Sequence, residues 1–178
     1  MFLPNAVELG QAKKEICRAH GFEGLYPLDD PEGRLASATD LGLAIFRHCV
    51  DAVRRADLLI ANMTPFRGPS VDVGTALEMG MMYALGRPVF GYTNAADDYS
   101  TRVAPDGYLV EDFGFADNLM CEGAVRAGGG TVVRTAVPVA HASPLSDLVA
   151  FEACVRQAAG TVGSVRRRGG RRIRGARR

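Results

Sequence analysis

The sequence has no apolar run as long as the roughly 18–20 residues that a membrane-spanning helix requires. Its first residues, MFLPNAVELGQAKK, show no basic segment followed by an apolar one, so they do not resemble a secretory signal peptide. The 178 residues suffice for one domain with a sizeable core, and a charged share of 23% is ordinary for a globular protein. We therefore expect a single cytoplasmic domain.

Grouped metal ligands are also missing. The three histidines stand near no matching ligand set, and no CxxC pair occurs. Such spacing argues against a metal site and favours free thiols, buried or half-buried. The four cysteines are Cys17, Cys49, Cys121 and Cys154.

Positive charge is concentrated at the C-terminus. The last thirteen residues, RRRGGRRIRGARR, hold eight arginines and no acid, whereas the rest of the chain carries 13 basic residues against 20 acidic ones. The segment has no aromatic residue on which a base could stack, so a disordered, solvated tail is favoured over a nonspecific nucleic-acid contact. We predict a folded domain over residues 1–160 and a disordered arginine-rich tail over 161–178.

Helical and strand-like segments alternate along this domain. Such alternation indicates an α/β fold with a parallel sheet. Helices are predicted over 5–20, 38–56, 72–85 and near 145–159, with a helix or loop around 117–127. Strands are predicted over 22–26, 57–63, 87–93 and 130–137.

Two expectations concern burial. The strand over 57–63, DLLIANM, is continuously apolar, which predicts burial on both faces. The second helix starts after a cap at Ser37 or Thr39 and has one apolar side. The side chains expected on its buried side are Leu43, Ile45, Phe46, Cys49, Val50 and Val53.

Two carboxylates in SVDVGTALEMG need an explanation, because this segment otherwise looks built for burial. Asp72 stands at the start of the third helix, where it is either a helix cap or a functional acid. Glu78 shares its helix face with Gly74, which leaves open space, and with methionines, which make the surroundings apolar. Glu78 is salt-bridged, exposed at a helix edge, or a functional acid whose desolvated carboxylate is a stronger nucleophile.

A third acid, Asp57, opens the strand 57–63. It is either a turn residue at the start of the strand or a carboxyl group near the same edge of the sheet, able to exchange a proton.

The segment ADLLIANMTPFRGPSVDVGTALEMGMMYALGRPV resembles the central motif of the nucleoside 2-deoxyribosyltransferase family. The shared features are a strand with an Asp, a Pro-Phe-Arg-Gly loop, and Asp-x-Gly-Thr-Ala-x-Glu-x-Gly. GFEGLYPLDD and EDFGFADNLMCEG resemble two further segments of that family. The resemblance extends over about residues 2–157 and implies a doubly wound, flavodoxin-like parallel sheet.

The resemblance also implies a reaction. Glu78 would attack C1′ of a 2′-deoxynucleoside, expel the base and form a covalent deoxyribosyl–enzyme intermediate, and a second base would then take the sugar with net retention. Asp72 would bind sugar hydroxyls, and Asp57 would give a proton to the leaving base. Carboxylates can carry all of this chemistry, so no cofactor is implied. The enzyme would serve nucleotide metabolism, including purine salvage.

Further residues follow from the same resemblance. Gly74 would leave room for substrate, and Phe66 and Arg67 would line the base pocket or form a plain surface loop. Asn118 matches an asparagine that a neighbouring subunit lends to the sugar site, which implies a homo-oligomer, and Met120 of the same segment is a further candidate substrate-binding residue. The other interpretation of Asn118 is a helix cap. Partners would be deoxynucleosides and free bases.

Family members place a strand before the segment that begins here at Met1, and no such strand is evident in this sequence. We expect a sheet without its usual first strand, and a higher melting temperature if that strand were restored. Two alternatives to the transferase stay open: a hydrolase of deoxynucleosides or their 5′-phosphates, and a non-catalytic nucleotide-binding protein of the same fold.

Overall fold

The structure is a computed structural model of the chain, and it describes residues 4–27, 37–136 and 144–169. Helices and strands alternate over most of this length. The helices are α1 (Ala6–Ala19), α2 (Ala38–Arg55), α3 (Val73–Ala84), α4 (Tyr99–Arg102), α5 (Leu119–Ala127) and α6 (Val149–Gly169). The strands are β1 (Leu59–Asn62), β2 (Val89–Thr93) and β3 (Val133–Arg134), and a 3₁₀ turn spans Pro144–Ser146.

The three strands form one parallel sheet in the order β1-β2-β3. In its register Leu59 lies opposite Val89, and Tyr92 lies opposite Val133. Parallel strands need crossover connections, and helix α3 provides the connection from β1 to β2. The α/β fold with a parallel sheet, predicted from the sequence, is thereby confirmed.

Helices cover both faces of the sheet. The apolar side chains of β2 point alternately to one face and to the other, so each face has its own apolar core. Val89 contributes to a core with residues of α2, α3 and α5, whereas Phe90 and Tyr92 pack into a second core against α6. All five residues of β2 are buried. Gly91 faces the first core, where a Cβ atom would collide with Met63 and would meet Val125 of α5 at 3.0 Å. A glycine there lets α5 approach the sheet closely.

Helix limits agree with the sequence prediction to within two residues for the first three helices. The Ser37 hydroxyl accepts a hydrogen bond from the Asp40 amide at 3.1 Å, so Ser37 is the cap of α2. Helix α3 ends before Gly86, whose φ of 67° lies in the left-handed region that favours glycine. Local capping chemistry therefore set these boundaries.

Two predicted strands differ from the structure. Residues 22–26 pair with no strand of the described sheet, although Phe22 packs against the second core. The strand predicted over 130–137 is reduced to Val133–Arg134, and residue 137 lies outside the described residues. A strand is defined by ladder hydrogen bonds to a neighbour, which local sequence does not specify.

Burial was overestimated in β1 and α2. In β1 only Ala61 is fully buried, because the strand lies at the edge of the described sheet. In α2 only Val53 is buried, while Leu43, Ile45 and Phe46 are 47–53% exposed. The C-terminal half of α2 packs against the core, and no described element covers its N-terminal half.

Helix α6 continues through the predicted domain end at residue 160 and reaches Gly169. The disordered arginine-rich tail over 161–178 stays a prediction. Residues 170–178 of the tail lie outside the described residues. Among the described helices none is both long and apolar enough to cross a membrane, and the cytoplasmic location stays a prediction.

Candidate active site

The candidate site begins where β1 ends. The side chain of Asn62 accepts a hydrogen bond from the Thr64 amide at 3.1 Å, and the Thr64 hydroxyl accepts one from the Asn94 amide at 3.0 Å. These bonds join the carboxyl ends of β1 and β2. In an open α/β sheet this edge is where ligands bind.

Asp72 lies at the start of α3 and caps it. Its Oδ2 atom accepts hydrogen bonds from the amides of Gly74, at 3.0 Å, and Thr75, at 3.3 Å. The helix-cap interpretation is therefore correct, but capping engages only one of the two carboxylate oxygens. Within the described residues no hydrogen bond engages Oδ1, so Asp72 can cap the helix and still accept a hydrogen bond from a ligand.

Glu78 is half-buried on α3, six residues after Asp72. Burial raises the pKa of its carboxyl group, and the negative charge of Asp72 raises this pKa further. No described residue forms a hydrogen bond or ion pair with Glu78, so the salt-bridge interpretation is wrong for the described part of the chain. A desolvated, unpaired carboxylate beside a second acid is suited to act as a nucleophile or a base.

Cys49 of α2 lies close enough to Glu78 to feel its charge. Burial raises the pKa of the Cys49 thiol, and Glu78 raises it further. No local pattern of the sequence connects Cys49 with the site. The apolar side of α2 predicts that Cys49 points toward the protein interior. Which side chain Cys49 faces depends on how α2 packs on α3.

The Pro-Phe-Arg-Gly loop folds back on itself ahead of α3. The Phe66 amide donates a hydrogen bond to the Ser70 carbonyl oxygen at 3.0 Å, and the Arg67 guanidinium lies 5.2 Å from the centroid of the Phe66 ring. Arg67 has a φ of 56°, which is uncommon for a residue with a side chain. Backbone strain of this kind often occurs in ligand-binding loops.

Asn118 is the cap of α5, as its second interpretation proposed. Its Oδ1 atom accepts from the Met120 amide at 3.0 Å, and its Nδ2 atom donates to Glu111 at 2.8 Å. Glu111 also accepts a hydrogen bond from the Leu119 amide at 2.7 Å. The Met120 side chain is 73% exposed, so this end of α5 faces outward.

Asp57 lies apart from the other acids. It is exposed and precedes β1, at the end of the strand opposite to the loop that leads to Asp72. The expected placement of Asp57 near the same edge is therefore wrong, because a residue before a parallel strand lies at the amino end of the sheet. Arg87 organises that end by donating hydrogen bonds to the carbonyl oxygens of Val53, Arg54 and Ala56 at 2.6–3.1 Å.

Metal binding finds no support in the geometry. Among the described residues no three histidine, cysteine or acidic side chains are grouped so that they could hold an ion.

The parallel sheet with helices on both faces defines an α/β protein, and the acids that follow its first strand mark the sheet edge as the candidate ligand site. The sequence model described as Nucleoside 2-deoxyribosyltransferase matches residues 1–120. The chain belongs to this family, as the motifs predicted.

The chain is similar to two further proteins. The chain is 32% identical over 179 residues to the Uncharacterized protein C191.05c of Schizosaccharomyces pombe, with 84% of this chain and 85% of that protein covered. The structure of the 2-desoxiribosyltransferase from Leishmania mexicana matches with a TM-score of 0.53 and 26% identity, over 66% of this chain and 75% of that one. Family and structure together support a function of the nucleoside 2-deoxyribosyltransferase type.

Proposed function

We propose that this protein transfers 2-deoxyribose between nucleobases by double displacement at Glu78. The observation that carries the proposal is the state of Glu78: half-buried, without a hydrogen-bonding or ionic partner among the described residues, and with its pKa raised by burial and by Asp72. A carboxylate that is poorly solvated attacks an electrophilic carbon more readily than one in water.

In the first step a carboxylate oxygen of Glu78 bonds to C1′ of a 2′-deoxynucleoside. The bond between C1′ and the base nitrogen breaks, and its electron pair leaves with the base, which takes up a proton. Asp57 receives no support as the proton donor from its exposed position at the other end of β1. We assign this proton to solvent, which reaches the site beside the exposed Val73 and Gly74.

In the second step a nitrogen of the incoming base attacks C1′ and loses a proton, and the ester bond to Glu78 breaks. Each displacement inverts C1′, so the product nucleoside keeps the configuration of the substrate. The missing 2′-hydroxyl favours the oxocarbenium-like transition state of both steps. Exchange of bases on one sugar is the chemistry of nucleobase salvage, including that of purines.

Other residues of this edge of the sheet have roles that their geometry allows. Oδ1 of Asp72 would accept a hydrogen bond from a sugar hydroxyl, and Gly74, where a Cβ atom would lie 3.0 Å from Oδ2 of Asp72, would keep that carboxylate accessible to the sugar. The stacked Phe66 ring and Arg67 guanidinium would form one wall of the base pocket.

A hydrolase is the second candidate. The same exposure that lets solvent reach Glu78 would let water replace the incoming base in the second step. Free deoxyribose would then be the product. The structure of the intermediate would be the same in both reactions.

We further propose that the protein acts as a homo-oligomer. The N-terminal half of α2 exposes apolar side chains, and Val73 and Leu77 on the neighbouring α3 are 84% and 56% exposed. Side chains of this kind at the rim of the site would be covered by a second copy that presents Asn118 to the sugar.

Product analysis tests the proposal. Purified protein is incubated with 2′-deoxyinosine, with and without adenine, beside the Glu78→Gln variant. We expect deoxyadenosine only with adenine and only with Glu78 intact, and a single deoxyribosyl adduct on the peptide that contains Glu78 after rapid acid quenching.

The other results are equally informative. Free deoxyribose without adenine would identify the hydrolase. Turnover that survives in Glu78→Gln would refute Glu78 as the nucleophile. Absence of any turnover in a folded wild-type protein would identify the non-catalytic nucleotide-binding alternative.

A further inference from the structure

Asp117 is a fully buried carboxylate directly before α5. Its Oδ2 atom accepts a hydrogen bond from the Val71 amide at 2.8 Å, and its Oδ1 atom accepts one from the Asn118 amide at 2.8 Å. Oδ1 also accepts a hydrogen bond from the Ser70 hydroxyl. The Asp117 side chain thus joins the start of α5 to Val71 and Ser70, which lie 46 and 47 positions earlier in the sequence.

Arg102 joins the same two segments a second time. It donates hydrogen bonds to the carbonyl oxygen of Pro69 at 3.1 Å and to that of Ala116 at 2.6 Å, and another to Asp97. Burial lowers the pKa of Arg102, and the negative charge of Asp117 is the largest influence that raises it. The two residues are therefore electrostatically coupled in the same contact.

The three donors explain why this position holds an acid. An ionised carboxylate has two acceptor oxygens and no donor, so it satisfies two amides and a hydroxyl together. An amide in its place would turn an NH₂ group toward one of these donors and leave it unpaired in a buried site.

Both joined segments lead directly into the candidate site. Val71 is followed by Asp72, which caps the helix that carries Glu78, and Asp117 is followed by Asn118. We propose that Asp117 is a positioning residue, which fixes the start of α3 against the start of α5, so that the acids at α3 keep their place in one site and Asn118 keeps its place toward the site of the second copy. This inference rests on the proposed function, because the purpose of that placement is the reaction at Glu78.

The test compares Asp117→Asn with Glu122→Gln. Glu122 is the matched control, since it is a buried acid of the same helix, bonded to Ala116 and Arg126 but not to the loop before α3. Both variants are assayed with 2′-deoxyinosine and adenine below their unfolding transitions, and their amide hydrogen exchange is followed by mass spectrometry.

We expect kcat of Asp117→Asn to fall about ten- to one-hundred-fold with a smaller change in KM, because a displacement near 1 Å costs about this much in rate. Amides over residues 66–76 should exchange faster in this variant. Glu122→Gln should keep kcat within about threefold and leave this exchange unchanged, even if its melting temperature falls equally.

A milder pair covers the case in which Asp117→Asn does not fold. Ser70→Ala removes one donor and leaves Asp117 with two, and Ser100→Ala removes a similar bond, to Asp112 at 2.9 Å, outside this contact. Ser70→Ala should lower kcat several-fold and speed exchange over 66–76, whereas Ser100→Ala should do neither.

Equal exchange over 66–76 in each variant and its control would overturn the inference, as would equal kcat values. If the wild type shows no turnover, the proposed function fails, and the exchange result alone then decides whether Asp117 orders the two segments.

Discussion

Glu78 lies where the buried and exposed sides of α3 meet. Met79 and Met82 are buried in the core, whereas Leu77 is 56% exposed. The glutamate between them loses enough water for its pKa to rise, yet a substrate can still reach it. This boundary position explains why an apolar helix contains a single acid, because Glu78 is neither fully buried in the core nor fully exposed to water.

Replacing Asp72 by Asn should separate its two tasks. Asn caps a helix about as well as Asp, so α3 should stay intact. Glu78 must be ionised to attack, and removal of the Asp72 charge lowers its pKa, so the acid limb of the kcat/KM profile should move to lower pH. The maximal value of kcat/KM should fall about ten- to one-hundred-fold, because the substrate loses one charge-assisted hydrogen bond to Asp72.

The measurement is a pH series of kcat/KM for the wild type, Asp72→Asn and Asp147→Asn. Asp147 accepts a hydrogen bond from the Val149 amide at 2.9 Å at the start of α6, so it offers the same substitution at another helix start. An acid limb that stays in place in Asp72→Asn would show that another group controls it.

Helix α2 is packed over only half of its length. Its apolar side is continuous in sequence, but Val53 is buried and Cys49 and Val50 are half-buried, whereas Ile45 and Phe46 are 49% and 53% exposed. Apolar periodicity predicts which side of a helix is shielded from water. It does not predict whether the same chain or another chain shields it.

Phe46→Glu should therefore weaken the proposed oligomer. A charge placed in an apolar contact must be desolvated, so we expect a lower molar mass by light scattering after size-exclusion chromatography. Arg47→Glu introduces the same side chain one position away, off the apolar side, and should leave the mass unchanged. A wild-type protein that elutes as a monomer would refute the interface.

At the scale of the whole molecule, the sheet edge collects groups from distant parts of the chain. The loop after β1, the start of α3 and the start of α5 converge there, and the Asp117 and Arg102 contacts hold them together. The exposed Met120 shows that the start of α5 also faces outward, toward the position that a second copy would occupy.

Sharing of sites between subunits predicts that two inactive variants complement each other. Glu78→Gln mixed with Asn118→Ala should recover about a quarter of wild-type activity, because half of random dimers are hybrids and each hybrid has one intact site. Mixing is done by unfolding and refolding the two variants together. Glu78→Gln mixed with Asp72→Asn should recover nothing, since both defects lie in the same half-site; recovery there, or none in the first mixture, would contradict the shared site.

Much of the fold followed from local patterns. Capping residues and glycines predicted the limits of α1, α2 and α3, and short apolar runs predicted β1 and β2. The segment 22–26 shows the limit of this reasoning, because its apolar residues are typical of a strand but no described strand pairs with it. The motif also singled out Asp72 and Glu78, whose local geometry supports a site, whereas Asp57 was misplaced.

The sequence by itself determined the family and the acids at α3 through spacing within one short segment, and the α/β class through the alternation of short local patterns along the chain. Tertiary structure decided which groups meet: Asp117 with Ser70 and Val71, Cys49 with Glu78, and Asp57 with neither site acid. Contacts between residues tens of positions apart depend on how helices pack on the sheet, and packing is a property of the whole chain that no local pattern contains.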